Sequence, residues 1–296
     1  WLVLPYKAKT IVLIYLLTLI LGASIGSFSG ATIWRIRARD LKYNRSLAKQ
    51  DKSELKKISF LNTTTFSSDR SRCLSCKHQL GALDMIPILS WLWLRGKCRY
   101  CKKPIGQFEF WIEILTALYF FISYAFWPYG FEGVYQISLF ILWLIIGTCL
   151  IIIGGYDSKW SEIPTKLMYV TIALSALWCS LIFIHDGFSL DKLYSTIGAV
   201  AILSGVYLVI YFGSKGKWIG FGDIELGLAL ALLLADWKLA FITLFAANFI
   251  GTAIVLPGLL SKKISRNQSM PFGPFYIAGF FVAYFWGGNI VSLLFK

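Results

Sequence analysis

The sequence contains little charge. Asp, Glu, Lys and Arg make up only 15% of its 296 residues, whereas 57% of the residues are hydrophobic. A soluble domain carries charge on about a quarter of its residues, because its surface must be solvated. The shortage of charge therefore excludes a soluble globular protein and indicates a chain that crosses a membrane several times.

Acidic residues are especially scarce. The chain has 15 Asp and Glu against 29 Lys and Arg, and residues 35–103 hold 17 of the basic residues but only five of the acidic ones. A basic segment can bind nucleic acid, but in a membrane protein it is typical of a loop on the cytosolic side. We therefore predict a cytosolic loop and no nucleic-acid partner.

Long apolar runs predict the membrane-spanning helices, because about 20 apolar residues in a helix cross the hydrocarbon core. Small residues on the first run, among them Gly22 and Gly26, allow helices to pack closely in lipid. The predicted fold class is an all-α polytopic membrane protein with about eight transmembrane helices and a loop between helices 1 and 2. The seven long runs lie near residues 11–34, 110–128, 134–156, 164–184, 193–212, 238–260 and 274–295, and a shorter, half-buried one lies near 224–235.

The connections between these runs are consistent with a single orientation. With the basic loop in the cytosol, the connections at 157–166, 213–222 and 261–270 also lie there, and each contains Lys or Arg. The positive-inside bias places basic connections in the cytosol. Asp157 and Asp223 adjoin two of these connections, so both are predicted to lie at the cytosolic face. The polar residues 37–69 are too poor in apolar side chains to predict a packed structure, so we expect them to be poorly ordered.

Four cysteines in the basic loop form two pairs. Cys73 and Cys76 are followed after 21 residues by Cys98 and Cys101, which is the spacing of a tetrathiolate zinc site. Two disulfides are the alternative, but a cytosolic loop lies in a reducing compartment. With four protein ligands the site is closed, so we predict that the zinc is structural rather than catalytic. The isolated Cys149 and Cys179 are interpreted as small buried residues.

Two aspartates end or begin apolar runs, which marks them as candidate functional residues. Asp157 follows Gly155-Tyr156, and Asp223 follows Gly220-Phe221-Gly222. An ionisable residue beside the membrane is costly and usually has a functional partner. Two carboxyl groups held close share a proton, so that one can activate water while the other polarises a carbonyl. The alternative is that each only caps a helix or pairs with a nearby lysine. We expect both to lie just outside helices, where water reaches them.

These residues occur in five motifs that together resemble the type IV prepilin peptidase family. The match covers nearly the whole chain and keeps the order of the motifs. The chain has Glu225 where the family usually has Lys, which puts a negative charge within a turn of Asp223. The motifs are Gly26-Ser27-Phe28 with Trp34-Arg35; the cysteine loop with Asp84, Ile86-Pro87, Ser90-Trp91, Gly96-Lys97-Cys98-Arg99 and Glu113; Asp157 with Ile163-Pro164; Gly220-Phe221-Gly222-Asp223; and Met270-Pro271-Phe272-Gly273-Pro274-Phe275.

The resemblance implies a bifunctional enzyme of the bacterial inner membrane. It implies that Asp157 and Asp223 are catalytic in cutting the leader from a prepilin or a type II secretion pseudopilin at the cytosolic face. It further implies methylation of the new N-terminal amine with S-adenosylmethionine, whose binding residues are unassigned. The expected regions are a first transmembrane helix (1–34), a basic loop with a structural zinc (35–108) and a transmembrane aspartyl protease domain (109–296).

Three other functions compete with this one. The first is another membrane protease with a Gly-x-Gly-Asp motif, against which the large cysteine loop argues. The second is a transporter that uses Asp157 and Asp223 as a proton relay. The third is a membrane-anchored zinc module that binds nucleic acid, for which both aspartates would be dispensable.

Overall fold

The structure is a computed structural model that describes residues 6–43, 48–62, 70–262 and 270–294. Most of the predicted connection at 261–270, and parts of the polar segment 37–69, lie outside these residues. The described chain divides into two compact units, Trp1–Pro128 and Tyr129–Lys296, which we call unit 1 and unit 2.

The described residues are almost entirely helical, which confirms the predicted fold class. Seven of the described helical segments are long and apolar enough to span a membrane. The only extended pairings among the described residues are two isolated β-bridges. The helices are α1 Tyr6–Tyr43, α2 Lys49–Ile58, α3 Leu89–Trp93, α4 Phe108–Ala125, α5 Val134–Trp160, α6 Thr165–Asp186, α7 Leu190–Val200, α8 Val206–Ser214, α9 Phe221–Leu234, α10 Trp237–Leu260 and α11 Gly273–Leu294.

In unit 1, glycines allow α1 and α4 to pack with their backbones in contact. Gly22 and Gly26 lie four residues apart and therefore on one face of α1. A Cβ atom at Gly22 would lie 2.8 Å from the Cα of Ala117, and one at Gly26 would lie 2.6 Å from the Cα of Glu113. Both distances are too short for a side chain, so the predicted close packing of the first helix is confirmed.

At its C-terminal end, α1 continues well beyond the length of a membrane span. Its 38 residues correspond to roughly 57 Å of helix, against about 30 Å for the hydrocarbon core. Arg37 is only 5% exposed and forms salt bridges with Asp51 at 2.9 Å and Glu54 at 3.1 Å. An apolar cluster joins this extension to α2 and the turn after it, through Ala38, Leu41, Ile58 and Leu61.

The expectation that residues 37–69 are poorly ordered is therefore wrong for residues 37–43 and 48–62. The segment is polar on average, but its few apolar residues recur at helical spacing and meet on one side. The charged residues Arg37, Asp51 and Glu54 pair with each other instead of remaining solvated. Average composition conceals a pattern of this kind.

In unit 2, the short helix α9 lies inside the bundle. It packs against α6, α7 and α11, and Leu226, Ala229, Leu230 and Ala231 are 0% exposed. A helix that is apolar on all sides is stable only when it is surrounded. Its 14 residues rise by about 21 Å, too little to span the hydrocarbon core. The prediction of a short eighth helix is thus confirmed.

A π-helical turn, Ala201–Gly205, joins α7 to α8 and fixes the position of α9. The Ser204 hydroxyl donates to the Ile224 carbonyl at 3.0 Å. The Leu203 carbonyl accepts a hydrogen bond from the Tyr276 hydroxyl of α11 at 2.6 Å, and it fills the space that a side chain at Gly227 would need. The wider turn frees a carbonyl that an α-helix would use internally.

We predict that Gly26→Ala destabilises the protein by about 1–3 kcal/mol, because the new methyl group meets the backbone of α4. Gly30→Ala is the matched control on the same helix, since a Cβ there would lie 3.5 Å from Glu109 Cγ, an ordinary contact. Alanine also favours a helix over glycine by up to about 1 kcal/mol, so the control should be neutral or stabilising. Thermal unfolding in one detergent compares the two. Equal midpoints would contradict the packing described for α1 and α4.

Candidate active site and metal centre

Asp157 lies in the last turn of α5 and is buried, with 4% of its surface exposed. Its Oδ2 accepts a hydrogen bond from the Gly273 amide at 2.9 Å. The helix ends after it, at Ser161, which has a left-handed φ of 52° and donates its amide to the Asp157 carbonyl at 2.8 Å. The expectation that Asp157 lies outside a helix and in contact with water is therefore wrong, because α5 continues through the two glycines that precede it.

Asp223 lies in the first turn of α9, where the unpaired amides give the helix a partial positive charge. The N-cap is Gly220, whose carbonyl accepts a hydrogen bond from the Asp223 amide at 3.2 Å. Gly222 is close to the connection between α5 and α6, since a Cβ atom there would lie 3.0 Å from the Cβ of Ile163. Asp223 is thus inside a helix rather than before it, and the missing side chain of Gly222 allows α9 to approach Ile163 closely.

The structure brings these residues to one place in unit 2. The charge of Asp223 acts on the Asp157 carboxyl group, and it also reaches the hydroxyls of Tyr207 and Tyr276. Tyr276 follows Gly273 by three residues on α11. The end of α5 and the start of α11 therefore meet at Asp157, and the start of α9 brings the Asp223 carboxyl group within electrostatic range of it. Such a pair can hold one proton and act as a joint acid and base on a peptide carbonyl.

A groove of about 270 Å³ lies between α10 and the start of α11. Its walls are mainly apolar, with the Asn248 amide as a polar group, and Phe272 connects it to Gly273 and hence to Asp157. Aromatic and apolar walls with few polar groups are typical of ligand sites. The groove is lined by Asn248, Gly251, Thr252, Val255, Leu256, Leu259, Met270, Pro271, Phe272 and Phe275.

Reasoning from residue types alone missed the role of Gly273. Only its place in a family motif drew attention to it, and no pattern of charge or periodicity identifies a backbone donor to a distant carboxylate. A Cβ atom at Gly273 would lie 2.8 Å from Asp157 Oδ2, so any side chain would displace the carboxylate. Glu225 lies two residues after Asp223 on α9, close to Tyr169 of α6.

In unit 1, the four loop cysteines come together. One Sγ atom from each of Cys73, Cys76, Cys98 and Cys101 lies within 4.8 Å of the others, and the Cys73 and Cys101 sulfurs are 4.0 Å apart. Tetrahedral Zn–S bonds of about 2.3 Å place sulfurs roughly 3.8 Å apart, whereas a disulfide requires about 2.05 Å. The cluster can therefore hold one metal ion.

The two cysteine pairs are held by matching turns. The Lys77 amide donates to the Cys73 carbonyl at 2.8 Å, and the Lys102 amide donates to the Cys98 carbonyl at 3.0 Å. Both lysines have left-handed backbones, with φ of 61° and 59°. Each turn thus presents two sulfurs to the same point, which is the arrangement that the sequence spacing predicted.

Asp84 connects the two turns. It accepts hydrogen bonds from the Gly81 amide at 3.1 Å, from Arg99 Nε at 2.6 Å and from the Tyr100 hydroxyl at 3.0 Å. Burial acts to raise the pKa of Asp84, but the hydrogen bonds from Arg99 and Gly81 outweigh it and hold that pKa below its ordinary value. The His78 ring lies against Tyr100, with centroids 3.7 Å apart. Asp84 therefore ties the second cysteine turn to the segment that follows the first one.

Glu113 links the loop to α1 and α4, the two long helices of unit 1. It is 9% exposed and accepts the Ile88 amide at 2.7 Å and the Ser27 hydroxyl. Ile88 has a φ of 63°, a conformation that a β-branched residue adopts only when its surroundings hold it there. Nearby, Trp34 Nε1 donates to Glu109 at 2.6 Å. The Gly26-Ser27-Phe28 motif of α1 and the cysteine loop, which are distant in sequence, therefore meet at Glu113.

Comparisons with known proteins agree with this geometry. Residues 20–127 match the profile described as Bacterial Peptidase A24 N-terminal domain, and residues 144–256 match that described as Type IV leader peptidase family. No solved structure matches the chain.

Curated relatives cover most of the chain. A protein of Stutzerimonas stutzeri named prepilin leader peptidase/N-methyltransferase is 27% identical over 282 residues, which is 94% of this chain and 92% of that protein. A protein of the same name from Legionella pneumophila is 30% identical over 226 residues, or 75% of this chain and 74% of that protein.

Proposed function

The chain belongs to the type IV leader peptidase family, and on that premise we propose that it is a membrane aspartyl endopeptidase that removes the leader from prepilins or pseudopilins. The observation that carries the proposal is the grouping of Asp157, Asp223 and Gly273, the central residues of three separate motifs, in one site where Asp157 and Gly273 are buried and Asp223 is half-buried. Its relatives are named as prepilin leader peptidases and N-methyltransferases, so methylation of the product is part of the same proposal.

In the proposed reaction the two aspartates act as one unit. The ionised carboxylate takes a proton from a water molecule, whose oxygen attacks the scissile carbonyl carbon. The protonated carboxyl group donates a hydrogen bond to the carbonyl oxygen as negative charge develops on it. A proton then passes to the amine of the mature chain as the C–N bond breaks, leaving a carboxylate on the leader. The Gly273 amide holds Asp157 in position throughout.

We place this site and the cysteine loop on the cytosolic side of the bacterial inner membrane. The support is the positive charge of residues 35–103 and of the connections at 157–166 and 213–222, which the positive-inside bias assigns to the cytosol. We retain the division into a first span (1–34), a loop (35–108) and a protease domain (109–296). The charge of the loop then reflects orientation, with membrane lipid rather than nucleic acid as its partner.

The metal that we propose for the loop is zinc, bound by Cys73, Cys76, Cys98 and Cys101. Four thiolates at tetrahedral spacing favour zinc and leave no open position for a substrate. Bound there, zinc would supply a structural cross-link between the two turns and no chemistry on the peptide. This fits the hydrogen bonds by which Asp84 ties the second cysteine turn to the segment after the first.

For the methylation we propose S-adenosylmethionine as the methyl donor, on the strength of the relatives' names. It would supply an electrophilic methyl group to the neutral N-terminal amine. The described residues contain no strand, so the strand, glycine turn and helix that hold many nucleotide cofactors are not part of the described chain. We assign none of the described residues to the donor.

We predict that Asp157→Asn and Asp223→Asn each reduce leader cleavage by about a thousandfold or more, because a pair that acts as a unit fails when either member is lost. Cleavage of a prepilin is measured with purified protein by gel shift and N-terminal mass. Asp191→Asn, at an exposed acid of α7, is the control that should retain activity. Substantial cleavage by either well-folded site variant would reject the assignment.

We predict that Gly273→Ala reduces cleavage by about 10- to 100-fold while the protein stays folded, because the methyl group displaces the Asp157 carboxylate and a misplacement of 1 Å can cost that much. Gly288→Ala on the same helix is the matched control, since a Cβ atom there meets nothing within 4 Å. Initial rates and unfolding midpoints are measured for both. Wild-type rates for Gly273→Ala would show that the amide contact does not position Asp157.

We predict about one zinc per chain in the purified, reduced protein. Cys98→Ser should lose the metal, because Cys98 is one of the four clustered thiols and its replacement opens the site. Cys179→Ser is the control, since Cys179 lies in α6, outside that cluster. Elemental analysis by mass spectrometry gives the stoichiometry. Zinc-free wild type, or equal zinc in both variants, would remove the loop cysteines as ligands.

A further inference from the structure

The short helix α3 presents an apolar surface that points away from the protein. Leu89, Leu92 and Trp93 occur at positions i, i+3 and i+4, so they share one face. Their exposed fractions are 61%, 52% and 85%. Leu83, just before the helix, is 65% exposed. We call these four residues the α3 patch. Clustered apolar residues at such exposure mark an interaction surface rather than ordinary surface scatter.

The opposite side of α3 is attached to the start of a membrane-spanning helix. Trp91 stacks on Phe110 of α4 with ring centroids 4.5 Å apart, and its Nε1 donates to the Gly106 carbonyl at 3.0 Å. The Ile88 amide, at the N-cap of α3, donates to Glu113 of α4 at 2.7 Å. Phe110 and Glu113 belong to the first two turns of α4. The α3 patch is therefore held at the depth where that span leaves the hydrocarbon.

Basic residues follow the patch in the chain. Arg95, Lys97, Lys102 and Lys103 are exposed, and we call these four residues the basic rim. Asp84, the acidic residue of this part of the loop, is already paired with Arg99. Exposed tryptophan and leucine beside lysine and arginine are the composition of segments that lie in a membrane interface, with apolar side chains below the headgroups and cations among them. Anionic headgroups attract such a basic rim over a Debye length.

We propose that the α3 patch and its basic rim form a docking site for the anionic lipid surface of the membrane that the protein spans. The contacts of α3 with α4 keep the patch beside that bilayer continuously, so lipid is the partner that is always within reach. Docking would hold the metal-binding loop flat on the membrane and limit its tilt relative to α4. The site is independent of the two aspartates and of the proposed protease function.

The test uses a photo-crosslinking amino acid at position 93 of the full-length protein in nanodiscs. One set of nanodiscs contains phosphatidylcholine only and the other adds phosphatidylglycerol. A crosslinker at Ile20, a 63% exposed residue of α1, is the positive control for lipid contact. One at Ser75, an exposed residue of the first cysteine turn, is the negative control. Mass spectrometry identifies the adducts.

The proposal predicts lipid adducts at positions 20 and 93 and several-fold fewer at position 75, with phosphatidylglycerol enriched at position 93. Arg95→Gln with Lys103→Gln should remove that enrichment while the zinc content stays unchanged. Three results would overturn the proposal: lipid adducts at position 20 but none at 93, adducts at 93 with a second copy of the chain or an added prepilin instead of lipid, or equal enrichment in the Arg95/Lys103 variant.

Discussion

The hydrogen bond from the Gly273 amide to Asp157 is the interaction on which the candidate active site depends. A carboxyl group buried at the end of a membrane helix is costly unless a donor satisfies it. Gly273 is the first residue of α11, so its amide has no partner within the helix and lies at the positive end of the helix dipole. The end of α5 and the start of α11 are thereby joined at one oxygen atom, and α9 brings Asp223 to the same place.

The same solution appears in unit 1, where a buried carboxylate again accepts an amide from a distant segment. Glu113 of α4 receives the Ile88 amide and holds that residue in a left-handed conformation. The contact orients α3 and, through the loop that follows, the second cysteine turn. In each unit a carboxylate on a long helix thus determines where a less regular segment lies. Loss of either carboxylate would leave an amide without its partner, buried at Gly273 and part-buried at Ile88.

Features with a local signal were predictable from the sequence. Apolar runs of about 20 residues identified the spans, and the paired spacing of Cys73, Cys76, Cys98 and Cys101 identified the cluster, because both patterns are short in sequence. Other features depend on tertiary contacts. Nothing local shows that α5 continues through Gly154 and Gly155 past Asp157, or that Arg37 orders α2 by pairing with Asp51 and Glu54. The role of Gly273 depends on a partner 116 residues away.

The central claim is that Asp157 and Asp223 are one catalytic unit, and a double-mutant comparison tests it most directly. Cleavage rates of a single prepilin are measured for Asp157→Asn, Asp223→Asn and the double variant, each confirmed as folded. If the two aspartates act as one unit, the double variant should cleave no more slowly than the slower single variant. The reason is that the first substitution already removes the shared proton. Rate losses that multiply in the double variant would show that the two aspartates act independently and would contradict the account.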